Sequence, residues 1–425
     1  MKILFLIWLI FSQSFILNSQ DKKEENQNPY KKLVIAAWRL SSRISPNPIK
    51  LNYVFDNSFF KSLTEEKTIE VLKKIHSENG EVVNVTSVTY HSNVWGDFFF
   101  HTDKDYIIPV TITINDSGKI VGVFFRPSFK KTAFLEDITK KFEALNCEKK
   151  GLLIKKLGSI EDNVYALNEK EIFPMGSAFK LYILAYMVEN DVKWDKVVKI
   201  KESDYSLPTG KMHLYPKGAP ITLFSLAEAM ISQSDNTATD ILIENLGREN
   251  IENFMKEHNS KPELNIPFLK TAEMFKIKSS TQIAENYIKA DTKEKRKILE
   301  KIKETRPDIK KLLNISSPYK PYNIEWFASP SDICSLMDYF KTKNNVYSNA
   351  ILSINPGLDT KTGEYAFAGY KGGSESGVLS MNWLLKTKNQ TYYCVSSFAS
   401  DEKQNIDEKT YFSVMQEILN VLSTK

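Results

Sequence analysis

Residues Phe173–Lys180 read FPMGSAFK and run straight on into LYILAYMV, and the reading of this stretch decides the fold. Between Ala178 and Val188, Lys180 is the only charged residue. A segment that is apolar on every side packs as a buried helix. Residues three apart share a helix face, so Lys180 can reach back towards the Ser177 hydroxyl. Burying an ammonium is costly unless a partner or a reaction uses it. Two readings are open at this point. One is a serine N-cap followed by a snorkelling lysine; the other is a nucleophile beside its base. Ser and Lys meet at this spacing by chance, so the choice depends on what else the chain carries.

Working outward, 425 residues exceed one ordinary core and point to two domains. An apolar content of 42% and a charged content of 26% describe a globular protein. The net charge of +5 is small and its basic residues are interspersed with acids, so there is no nucleic-acid footprint. The N-terminus, MKILFLIWLIFSQSFILNSQ, sets Lys2 ahead of an apolar run and is followed by DKKEENQN. That pattern reads as an export signal over residues 1–20, with a polar spacer over 21–29. The expected location is periplasmic or extracellular, and an uncleaved signal segment is the one route to membrane anchoring. Cys147, Cys334 and Cys394 are widely spaced and His numbers five, so no metal site is expected and at most one disulfide.

A first unit over residues 30–127 is expected to be a small α+β domain. Ile69, Leu72 and Ile75 give 66–79 a helical spacing that stops before Gly80. Strand patterns follow at 81–90, 105–114 and 119–125, with Asn115–Gly118 as a hairpin turn. His91 and His101 fall near strand ends without a catalytic cluster around them. Over residues 128–425, a helical pattern through Phe134, Ile138 and Phe142 comes first. Strand patterns at 151–157 and 163–167, a helical middle over 177–340, strands at 364–372, 378–387 and 391–398 and a helix over 407–422 complete it. Strands at both ends of a helical insert imply one sheet assembled from distant pieces of chain.

Two further motifs stand out. Ser234-Asp235-Asn236 lies between apolar helical stretches, where Ser225 and Glu228 have capping-box spacing and Gly247 marks a helix end. Alone it is a polar turn with Asn236 or Thr237 capping the next helix. Lys371-Gly372-Gly373 sits in a strand pattern, where two glycines admit a ligand or another backbone at close range. Alone it is a bulge beside a surface lysine.

In this order the three motifs resemble those of the penicillin-recognising serine hydrolases, the class A β-lactamases and penicillin-binding proteins, over Phe134–Lys425. More narrowly, NIPFLKTAEMFKIK (265–278), EWFASPSD (325–332) and GYKGGSESGV (369–378) are similar to two-domain β-lactamase-like hydrolases associated with clavulanic acid gene clusters. The resemblance implies an α+β fold. Its C-terminal part is a β-lactamase-like domain, an antiparallel sheet with a helical subdomain, and its N-terminal part an NTF2-like or steroid-isomerase-like domain.

It also implies chemistry. Ser177 is the expected nucleophile, forming an acyl-enzyme with an ester, amide or β-lactam, and Lys180 is its general base. Ser234 relays a proton to the leaving group, and Asn236 holds Lys180 and meets a substrate amide. Lys371 supplies charge for a substrate carboxylate, beside Gly372 and Gly373, and the Ser177 and Ser374 N–H groups form the oxyanion hole. No cofactor is implied, and the partner is a small-molecule or peptide substrate. Two departures limit this. Gly372 stands where the family has Thr or Ser, so either Ser374 or Ser376 supplies the hydroxyl or the substrate carries no carboxylate there. The deacylating glutamate of class A enzymes, in E-x-x-L-N, has only Lys261-Pro262-Glu263-Leu264-Asn265 as a lookalike, with lysine in its place. Glu325 is the other candidate, but Trp326 and Phe327 beside it read as a packed segment. Weak or absent β-lactamase turnover is therefore expected. The alternatives are a penicillin-binding D,D-peptidase or transpeptidase, and a non-catalytic ligand-binding protein.

Overall fold

The computed structural model describes residues 29–130, 134–158, 163–206, 209–305, 318–360 and 365–423. The export segment expected at 1–20 lies outside them, as does nearly all of the spacer. The chain divides into two compact units, Met1–Ala133 and Phe134–Lys425.

In the first unit, helices Lys31–Ser41 and Glu65–Asn79 accompany an antiparallel sheet of order β1 (Val82–Ser92), β2 (Trp95–Thr102), β3 (Tyr106–Ile114), β4 (Ile120–Phe125). Ile108, Val110, Ile112 and Ile114 are all buried, as alternation along β3 requires, and they join Leu33, Leu40, Phe98 and Phe100 in one core. The turn at 115–118 is held by Asn115 Oδ1, which accepts from the Ser117 and Lys119 N–H groups at 3.1 and 3.0 Å. Strand β2 and the helix at 31–41 were not legible in the sequence. Gly96 to Phe100 are buried without a break, so β2 has no polar face to generate a period of two. The unit also extends past the expected end at Pro127, because β5 (Phe129–Lys130) pairs with Ile107 and Tyr106 of β3. Both histidines have structural partners. His91 Nε2 lies 2.8 Å from Asp97 Oδ2, and His101 Nε2 2.9 Å from Thr86 Oγ1.

In the second unit, chain from both ends forms one five-stranded antiparallel sheet of order β12-β13-β14-β6-β7. Its strands are β6 (Lys149–Leu157), β7 (Asn163–Leu167), β12 (Tyr365–Glu375), β13 (Val378–Thr387) and β14 (Tyr392–Ser400). A mainly helical stretch lies between β7 and β12 in sequence, giving the expected α+β arrangement of antiparallel sheet and helices. Its two-residue strands β8 (Phe173–Pro174) and β11 (Phe327–Ala328) pair with each other. That pairing sets the residues just before Ser177 against those just after Glu325. A second short pair, β9 (Val197–Lys199) with β10 (Pro220–Thr222), leads into the helix before Ser234. A disulfide joins Cys334, on helix Pro330–Lys343, to Cys394 on β14, and Cys147 is a thiol.

Candidate active site

Ser177 is not an N-cap. It lies inside a 3-10 turn, Gly176–Phe179, and the α-helix Lys180–Glu189 begins at the lysine itself. Helix residues Lys180 to Ala185 are buried without interruption, so the lysine cannot snorkel to water. With 0% exposure, its Nζ instead reaches Ser177 Oγ at 3.3 Å, Ser234 O at 2.6 Å, Ser234 Oγ at 3.2 Å and Asn236 Oδ1 at 2.9 Å. Burial, and next the Lys371 ammonium, push Lys180 well below the ordinary lysine range, against the opposing pull of Asp240 and Asp235. A neutral amine beside a serine hydroxyl can take that hydroxyl's proton.

The second motif is organised by its middle residue. Asp235, not Asn236 or Thr237, caps helix Asn236–Leu246, its Oδ1 accepting from the Ala238 N–H at 2.8 Å. Its Oδ2 accepts from the Lys211 and Met212 N–H groups, both at 2.7 Å, and so pins the loop that precedes the motif's helical hairpin. Because the aspartate does the capping, the Asn236 carboxamide is left to hold Lys180. Ser234 has φ +56, a left-handed conformation that turns both its carbonyl and its hydroxyl onto Lys180. The expected capping box at Ser225 and Glu228 is displaced by one turn. Thr222 is the cap of helix Leu223–Ser232, accepting from the Ser225 N–H at 3.1 Å.

The third motif runs along β12. Lys371 is 3% exposed, and its Nζ donates to Ser234 Oγ at 3.1 Å and to the Gly372 carbonyl at 2.5 Å. Burial brings it down to about 7. Ser234 Oγ therefore stands between two lysines whose charges are both disfavoured, which suits a hydroxyl that passes protons. Gly373 is required by close approach: a Cβ there would lie 2.2 Å from the Met175 carbonyl oxygen and 2.5 Å from the Ser177 nitrogen. A Cβ on Gly176 would lie 3.0 Å from the Ser374 nitrogen. The amides of Ser177 and Ser374 are thus brought side by side, and Ser380 Oγ bonds the Met175 carbonyl at 2.8 Å to fix the contact.

Every residue expected at the site, namely Ser177, Lys180, Ser234, Asn236, Lys371, Gly372, Gly373 and Ser374, falls in this one region. All but the buried Lys180 and Asn236 line a cavity of about 350 Å³. Of the two hydroxyls expected to make good the Gly372 departure, Ser376 is engaged elsewhere, its Oγ 2.6 Å from Asn405 Oδ1. The sequence reading missed Tyr370. A Cβ on Gly372 would lie 2.1 Å from the Tyr370 hydroxyl oxygen, so the tyrosine hydroxyl occupies the room a threonine side chain would take. Tyr370 lines the same cavity, and its ring packs on Trp383 with centroids 4.9 Å apart. The signal was the period of two along a strand, which puts residue 370 on the same face as residue 372.

Asn265 is spent on structure, its Oδ1 accepting from the Phe327 N–H at 2.8 Å and its Nδ2 donating to the Phe327 carbonyl at 3.0 Å. Glu263 is exposed and lines neither cavity at Ser177. Trp326 is packed as expected, stacked on Phe179 with centroids 3.7 Å apart. Glu325 departs from the expectation: it is buried, yet it lines a second cavity, of about 130 Å³, that also reaches Ser177. Among the described residues no cluster of three or more His, Cys, Asp or Glu could hold a metal ion, and no helix is long and apolar enough to cross a membrane.

Residues 133–313, which hold the first two motifs, match the model of the Beta-lactamase enzyme family. Over that stretch the second unit is similar to the β-lactamase-like serine hydrolases. Solved structures similar to the chain include PBP-A, at 15% identity and a TM-score of 0.46 over 68% of this chain and 96% of that one. A β-lactamase from Chitinophaga pinensis matches at 17% identity and a TM-score of 0.46, over 68% of this chain and 97% of its own. One from Sphaerobacter thermophilus matches at 17% identity and the same TM-score, 0.46, over 68% and 97%. Of the curated proteins compared with the chain, none matches.

Proposed function

We propose that the protein is an exported hydrolase that works by acyl transfer through Ser177, with Lys180 as general base. The observation that carries this is the fully buried Lys180, 3.3 Å from Ser177 Oγ and held by Ser234 and Asn236 in surroundings that favour its neutral form. Lys180 takes the Ser177 proton as Oγ attacks the substrate carbonyl. The amides of Ser177 and Ser374 receive the oxyanion, and Ser234 passes the proton to the leaving group. Lys371 and the Tyr370 hydroxyl face the substrate's polar or anionic end, which favours a small ester, amide or β-lactam carrying such a group.

Turnover of β-lactams by the class A route is weak in this reading, since Lys261 and the exposed Glu263 leave that route without its glutamate. The same feature keeps a D,D-peptidase reading in play, which hydrolysis of a D-Ala-D-Ala peptide would separate from esterase action. Export is supported by the N-terminal pattern and by the Cys334–Cys394 disulfide, a bond favoured in oxidising compartments. An NTF2-like first domain, and the likeness to hydrolases of clavulanic acid clusters, draw support from its helices and antiparallel sheet and from the sequence stretches that carry the resemblance. Intact-protein mass spectrometry after benzylpenicillin or p-nitrophenyl acetate tests the proposal. An acyl adduct that is absent in Ser177→Ala is expected, and a wild-type protein that neither reagent acylates defeats it.

A further inference from the structure

We propose that Glu325 and Glu375 form the carboxyl pair that activates water to cleave the Ser177 acyl-enzyme, with Lys278 holding the pair in place. This rests on the reading of Ser177 as nucleophile. Lys278 Nζ lies 2.6 Å from Glu375 Oε2 and 3.7 Å from Glu325 Oε1. One ammonium therefore faces both carboxyl groups, and each carboxyl shifts the titration of the other. Two carboxyl groups facing a single ammonium leave the buried trio neutral only if one of them keeps its proton.

The division of roles follows from the surroundings. Glu325 is 1% exposed at its side chain, and burial first, then the neighbouring Glu375 carboxyl, raise it well above the ordinary carboxyl range. Glu375 is 26% exposed at its side chain. Burial raises it, but the Lys278 ammonium, the neighbouring Glu325 and the bond from Lys278 more than offset this and hold it below that range. Glu325 is thus the protonated partner, and Glu375 the carboxylate and the more exposed of the two.

Both glutamates line the smaller cavity together with Ser177, Asn236 and Ser374. Its volume of about 130 Å³ has room for a few waters, each occupying ~30 Å³. Glu375 directly follows Ser374, whose N–H faces the oxyanion, and Glu325 directly precedes Trp326, which stacks on Phe179 of the nucleophile's own turn. A purely structural ion pair needs one carboxylate. A second, 1% exposed and lining the same cavity as the nucleophile, adds a desolvation cost without adding a charge partner.

The chemistry balances. Water in the cavity adds to the ester carbonyl of the acyl-enzyme while Glu375 accepts its proton. The new C–O bond forms and the oxyanion is held by the two amides. Collapse breaks the C–Oγ bond, the carboxyl pair returns the proton to Ser177 Oγ, and the acid leaves with the resting state restored. Two carboxyls that share one proton, the ionised one acting on water, are a known arrangement for hydrolysis.

The test uses full-length Glu325→Gln and Glu375→Gln, followed by intact-mass time courses after p-nitrophenyl acetate or benzylpenicillin. Adduct formation at close to the wild-type rate is expected, with an adduct lifetime longer by about 100-fold or more, the usual scale for a lost general base. Hydroxylamine, a nucleophile that needs no base, should release the acyl group from variants and wild type equally fast. Unchanged lifetimes in both variants overturn the proposal. So does loss of adduct formation in both, or slowed release by hydroxylamine, since either assigns the trio to holding the turn. A wild-type protein that never acylates is a different result and fails the Ser177 reading itself.

Discussion

Replacing Gly373 with alanine should disable acyl transfer while leaving the second unit folded. The new Cβ would lie 2.2 Å from the Met175 carbonyl oxygen, 2.5 Å from the Ser177 nitrogen and 2.8 Å from the Ala178 nitrogen. All three neighbours are backbone, so no side chain can swing away. Ordinary contact begins at 3.4 Å, so strand β12 and the turn carrying Ser177 must part by about 1 Å (3.4 − 2.2 = 1.2). A 1 Å misplacement at a reacting centre costs on the order of 10²-fold, and loss of one oxyanion donor about 10²–10³-fold. The expected fall in kcat/KM is therefore about 10²–10³-fold, or ~2.7–4 kcal/mol of transition-state stabilisation. Overpacking adds about 1–3 kcal/mol of destabilisation, visible as a lower Tm. The assay is p-nitrophenyl acetate hydrolysis with Tm measured on the same preparation. A folded Gly373→Ala protein with kcat/KM within threefold of wild type would refute the oxyanion geometry.

The remaining predictions follow from the same contacts. Lys180→Met should slow acylation by about 10²–10⁴-fold, as loss of a general base does, measured by adduct formation in rapid-quench mass spectrometry. Lys371 is drawn down to about 7 by burial, so it is an ammonium below that pH and neutral above it. Hence kcat/KM for a carboxylate-bearing substrate should fall as pH rises through about 7, and that for a neutral ester should fall less. Tyr370→Phe should raise KM for an anionic substrate by roughly tenfold, the worth of one hydrogen bond to a charge, with kcat little changed. Asp235→Ala removes a helix cap and leaves two loop N–H groups without their acceptor, so denaturant titration should read a loss of at least about 2 kcal/mol.

Much of the site was legible because its chemistry is local. Ser177 and Lys180 announce themselves as polar atoms in an apolar run, and the period of a strand identifies β12 and β13. What escaped was whatever depends on contact across the fold. β2 carries Phe98-Phe99-Phe100 with both faces covered, so it lacks an alternation to read. Asp235 looks like one of three equivalent turn residues until its Oδ2 is seen holding residues 211 and 212. Tyr370 gains meaning only when Gly372 is found to have no room for a side chain. Glu325 reads as packed because Trp326 is packed, and nothing in its sequence neighbourhood points to Glu375, fifty residues on, or to Lys278 before it. The tie between them is made by the tertiary fold, which local periodicity does not encode.

The central claim is that Ser177 carries the acyl group, and peptide mapping of the benzylpenicillin or p-nitrophenyl acetate adduct tests it most directly. The added mass should appear on the peptide that contains Ser177 and on no peptide of Ser177→Ala. An adduct on another residue, or one that survives Ser177→Ala, would contradict it.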